Sequence, residues 1–93
     1  MSVEDLSCTW EQDGELKVEE LDKCVLTKGA WATVMFLYRE RKPDKTWSGT
    51  KARVQRYKKS HGRYMSQSKF NISSAKQARQ IVNQLQAWFP EEA

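Results

Sequence analysis

The sequence predicts an α+β domain: a four-stranded antiparallel sheet followed by one C-terminal amphipathic helix, in the order β-β-β-β-α, assembled as a dimer. Three observations carry this expectation. Residues 31–38, WATVMFLY, are a run of aromatic and β-branched residues, the composition that suits a pleated, packed surface. Residues 51–59 and 63–72 flank a Ser-His-Gly turn, as the arms of a hairpin do. Residues 74–89 repeat apolar side chains at helical spacing and stop at a proline.

Residues 1–22 hold eight acids and one Lys, a net −7, with apolar residues scattered at Leu6, Trp10, Leu16, Val18 and Leu21. This is the pattern of an acidic leader, mobile or peripherally packed, with one strand around 15–19. A domain spanning 23–93 follows. Its first run, DKCVLTKG, ends in Lys28-Gly29, a turn signal. In 31–38, Trp31, Thr33, Met35 and Leu37 point one way and Ala32, Val34, Phe36 and Tyr38 the other. Both sets are apolar, so the strand wants cover on both faces. One helix covers one face and the leader is too polar for the second, so a second copy of the chain is expected there.

KPDKTWSGT, residues 42–50, is a loop punctuated by Pro43-Asp44 and Ser48-Gly49. KARVQRYKK then alternates, placing Lys51, Arg53, Gln55, Tyr57 and Lys59 on one face. Strict alternation through RYMSQSKFNI likewise groups Arg63, Met65, Gln67 and Lys69, with Tyr64, Phe70 and Ile72 opposite. Ser74 and Gln77 form a capping box, and Ala78, Ile81, Val82, Leu85 and Trp88 make the apolar stripe of the helix that Pro90 ends.

With 93 residues, 39% hydrophobic and 30% charged, the chain is one small globular domain. It has no run of about 18 apolar residues to span a membrane. The acidic start lacks the basic and apolar segments of a signal peptide, so a cytoplasmic location is expected, nucleoid-associated or, in a eukaryote, nuclear. Cys8 and Cys24 lie sixteen apart and His61 is the one histidine, too few ligands for zinc, so neither metal nor cofactor is expected. GxSxG, P-loop, HExxH and dinucleotide motifs are all missing, so the expectation is a non-enzyme with no small-molecule substrate.

The net charge of +4 conceals a strong asymmetry. Residues 23–79 hold fifteen Lys or Arg against Glu40 and Asp44, a net +13, and Glu91 and Glu92 close the chain. Residues 51–70 contain seven cations and no acid. A solubilising surface mixes signs, and like charges on neighbouring strands repel unless an anion relieves them. Aromatic residues among the cations suit unpaired bases, which stack while phosphates meet Lys and Arg. Lys76 and Arg79 add positive charge to the helix N-terminus, a place where phosphate binds well.

Lys28-Gly29 opening an apolar strand that ends at Tyr38, and Lys69-Phe70-Asn71-Ile72-Ser73 running into a capped helix, together resemble the transcriptional coactivator family called positive cofactor four, over residues 23–89. The resemblance implies a homodimer joined through helices and sheet edges, whose curved sheet binds single-stranded DNA or melted duplex with little sequence preference. It also implies that Lys28 belongs to a DNA-binding turn and that Lys69 is the basic residue ahead of the helix. The chain departs from the family in having Thr27 where an aromatic often precedes the turn. It also has Phe70 and Asn71 where a basic residue and Gly are usual. Trp47 and Tyr57 are the stacking residues that chemistry suggests in their place.

The expected function is therefore non-enzymatic single-stranded DNA binding in transcription, replication or repair. Its expected site is Lys28, Trp47, Lys51, Arg53, Tyr57, Lys59, Arg63, Lys69 and Lys76. An RNA-binding domain, or a module gripping an acidic protein partner, are the alternatives the same charges allow.

Overall fold

The computed structural model describes residues 2–91; Glu92, counted above in the acidic tail, lies outside them. After a 3-10 turn at Val3–Asp5 come β1 (Trp10–Gln12), β2 (Glu15–Thr27), β3 (Trp31–Glu40), β4 (Lys51–Ser60), β5 (Arg63–Ile72) and α1 (Ala75–Trp88). The strands pair in chain order, each antiparallel to the next, as a curled half-barrel. There are five strands rather than four. The extra one exists because Asp13 and Gly14, with φ of 54° and 76°, form a two-residue turn whose twist matches its strands. His61 and Gly62, at 52° and 77°, do the same between β4 and β5. The sheet thus begins inside the segment read as a leader.

Antiparallel partners share a face, which fixes the two sides. On one side Ala32, Val34, Phe36 and Tyr38 are buried, with Tyr57 across from Ala32. Val3, Leu6 and Cys8 belong to the same buried cluster. The N-terminal segment, not a second copy, therefore covers this face. Its backbone is held by Lys23, whose ammonium donates to the carbonyls of Glu4 at 2.6 Å and Leu6 at 2.8 Å. The Cys8 amide donates to Glu20 Oε1. The leader is polar on average, but Val3, Leu6 and Cys8 turn inward while Glu4 and Asp5 between them stay exposed.

The other face is open. Trp31 and Leu37 on β3, and Met65 and Phe70 on β5, stay 41–54% exposed. The helix was expected to cover one face, yet no residue of α1 is buried. Its first turn leaves the sheet beside Leu37, Ala52 and Ile72, through Ala75 and Ala78, and the rest projects away. The radius of gyration, 15.2 Å, exceeds the ~12–13 Å of a compact chain this long. The cap forms as expected at one end of its pair: Ser74 Oγ accepts from the Gln77 amide at 3.1 Å. Gln77 Oε1 reaches back one residue further, accepting from the amide of Ser73.

Gln67 is a β-bulge: Ser66 faces Tyr57 and Ser68 faces Arg56, leaving it unpaired. The bulge overturns the strict alternation expected for β5. Arg63, Met65, Ser68, Phe70 and Ile72 lie on the open face, while Tyr64, Ser66, Lys69 and Asn71 lie on the covered one. Among the described residues no helix is long and apolar enough to cross a membrane.

Candidate functional site

The acids of the first two strands neutralise one half of the sheet. Glu15 takes Lys45 at 2.7 Å, Lys17 at 3.3 Å and Arg41 at 3.8 Å, and Glu19 takes Arg39 at 2.8 Å. The Lys45 ammonium, with Lys17 behind it, holds the Glu15 carboxyl below the usual carboxylate range. Trp47 lies in this half. Its ring centre lies 4.2 Å from the Arg39 guanidinium and 4.1 Å from that of Arg41, and its backbone bridges to Arg41. Trp47, half-buried, therefore pins the β3–β4 loop, with two guanidinium groups against its ring.

The β4–β5 hairpin is the other half, and it is left charged. Of its seven cations only Lys51 meets a carboxylate, Glu40 at 3.4 Å. Among the described residues, Arg53, Arg56, Lys58, Lys59, Arg63 and Lys69 have no carboxylate within ion-pair distance. Several rest on aromatic rings or amides instead. Arg53 donates to Asn71 Oδ1 at 2.8 Å and lies over the Tyr38 ring. Lys59 sits 5.7 Å from the centre of the Tyr64 ring, whose hydroxyl donates to the carbonyl of Gly29. Arg56 and Lys58 lie 4.8 and 5.4 Å from that of Trp31.

The expected site residues do not form one surface. Lys51, Arg53, Tyr57, Lys59 and Lys69 share the covered face; Arg63 is on the open one. Lys28 pairs with Glu4 at 2.7 Å, which draws the Glu4 pKa down and pushes that of Lys28 up. Lys76 is exposed on the first turn of α1, away from the hairpin tip. Tyr57 was expected on an open cationic face, but only 5% of it is exposed. Burial pushes its phenol up to about 12, and burial also pushes up the thiol of Cys8 beside it. A tyrosine so enclosed has no free ring face while the N-terminal segment is in place.

Sequence reasoning missed Trp31, Arg56, Lys58 and Met65, which share the open face. The β3–β4 register sets Trp31 opposite Lys58, and the β4–β5 register sets Lys58 opposite Met65. Tracing the even-numbered side of β4 as carefully as the odd would have found two of them. The bulge that brings Met65 and Phe70 to one face leaves no signal in the residue pattern. Among the described residues no group of three or more His, Cys, Asp or Glu is arranged to hold a metal ion. A curled antiparallel sheet with a terminal helix is compatible with single-strand-binding folds of the oligonucleotide-binding type and with protein-binding modules generally. No protein-family model matches the chain, and neither does any curated protein or solved structure.

Proposed function

We propose that the chain is a non-enzymatic binder of single-stranded DNA with little sequence preference, working as a homodimer in transcription, replication or repair. The observation that carries this reading is the uncompensated hairpin. Among the described residues six cations stand without a carboxylate, while acids of the same chain neutralise the neighbouring half of the sheet. Phosphates are the partners that such a surface lacks, and Arg and Lys set among Trp31, Tyr64 and Met65 suit a flexible strand with unstacked bases. The three cations on the open face, Arg56, Lys58 and Arg63, correspond to a log–log salt slope of about −2 for a single strand. A homodimer is supported by the exposed apolar stripe of α1 and the open sheet face beside its root, a continuous surface of a kind rare on monomers.

Anisotropy titrations with single-stranded DNA, duplex DNA and RNA of equal length test the reading. It predicts tightest binding to single-stranded DNA and affinity that falls with salt. Equal or tighter binding of RNA would transfer the site to that nucleic acid. No binding of any oligonucleotide at physiological salt, with an acidic peptide bound instead, would replace the reading with a protein-interaction module.

A further inference from the structure

We propose that Trp31, framed by Arg56 and Lys58 and bordered by Met65, is the stacking site for an unpaired base, on the face of the sheet opposite the N-terminal segment. The proposal rests on the reading of the hairpin as a single-strand binder and assigns the side on which the strand runs. Trp31, Lys58 and Met65 form one cross-strand row, and Thr33, Arg56 and Ser68 the next. Both cations approach the indole, the guanidinium at 4.8 Å and the ammonium at 5.4 Å from the ring centre, and neither has a carboxylate partner among the described residues. Trp31 is nonetheless 43% exposed and Met65 53%. Arg63 lies two residues from Met65 on the same side, opposite Ser60 at the hairpin turn. The nearest acid on this face, Asp22, sits opposite Leu37, six residues along β3 from Trp31.

The other aromatic rings are closed off or lack cations. Tyr57 and Tyr38 are buried beneath the N-terminal segment, and Trp47 is half-buried with two arginines against its ring. Trp10 is exposed but stands beside Glu11 on an acidic strand, and Trp88 continues the apolar stripe of α1. Tyr64, beside Lys59, is partly buried against the core, and among the described residues Trp31 is the one exposed ring that has cations over it. A base on its face leaves its own phosphate within reach of Lys58 or Arg56, so stacking and charge neutralisation are served by one cluster.

The test is anisotropy with a fluorescein-labelled oligothymidylate across a salt series. Trp31→Ala should weaken binding about 5- to 150-fold, the range for loss of one base–aromatic stack, without changing the salt slope. Trp31→Phe should restore most of the affinity. Arg56→Gln and Lys58→Gln should each flatten the slope by about 0.7. An independent readout needs no destabilising change: oligothymidylate should shift the indole N–H resonance of Trp31 in the parent protein and leave that of Trp10 in place. A parent that binds the oligonucleotide while Trp31→Ala binds equally well, or while the Trp31 resonance stays still, overturns this site alone. A parent that binds no oligonucleotide overturns the functional reading beneath it.

Discussion

Leu6 tests whether the N-terminal segment is part of the folded core. It is 8% exposed and belongs to the cluster that includes Phe36, Val34 and Tyr57. Truncating a buried Leu to Ala costs about 2–5 kcal/mol. Here the segment is one layer thick and can relax outward, so we expect the low end, about 2–3 kcal/mol. A 93-residue domain has roughly 5–14 kcal/mol to lose, and at about 4–8 °C per kcal/mol the melting point of Leu6→Ala should fall by about 10–20 °C. Urea denaturation followed by circular dichroism gives the free energy directly. Tyr57 supplies a second readout. Its phenol is pushed up to about 12 from the ordinary 10, so the folded state holds this proton more tightly than the unfolded chain. That contribution is complete below pH 10 and lost between pH 10 and 12, by up to about 3 kcal/mol. Leu6→Ala should bring the Tyr57 titration, read from its ring carbon by NMR, back toward 10. A variant as stable as the parent, or a parent whose Tyr57 titrates at 10, would show that the segment does not pack on the sheet.

Two further outcomes follow from the core and the helix. The Tyr38 hydroxyl is buried with no hydrogen-bond partner among the described residues, and an unsatisfied group of this kind costs about 1–3 kcal/mol; Tyr38→Phe should therefore leave stability equal or raise it, and a clear loss in denaturation would show a hidden partner. Leu85 and Trp88, 47% and 68% exposed on α1, should form the contact between two copies, so Leu85→Lys should convert a dimer to a monomer in sedimentation at micromolar concentration, whereas a parent that sediments as a monomer removes the dimer from the account.

The central strand, the basic hairpin and the capped helix were legible because each has a strong local cause: β-branched density in 31–38, a Gly-containing turn at 61–62, and Ser74 with an apolar stripe. Asp13-Gly14 was an equally strong hairpin signal, obscured by the acids around it, and so β1 was not foreseen. The burial of Val3, Leu6 and Cys8 is a tertiary effect. Three apolar residues among acids have no periodicity, and only the sheet they meet gives them meaning. The same holds for Gln67. A one-residue bulge reverses the side-chain order beyond it, and β5 carries no Gly or Pro to mark the place. The charge of the site was thus readable from composition, but the division of that charge between two faces was not.

The most direct measurement of the central claim is the salt dependence of single-strand binding in the parent and in a variant with the open-face cations Arg56, Lys58 and Arg63 all changed to Gln. All three side chains are exposed, and none has a carboxylate partner among the described residues, so the fold should survive their loss. Each lost phosphate contact removes about 0.7 from the slope, so the account predicts a slope flatter by about 2 units together with a collapse in affinity at low salt. A folded variant that binds single-stranded DNA with the affinity and slope of the parent would contradict it.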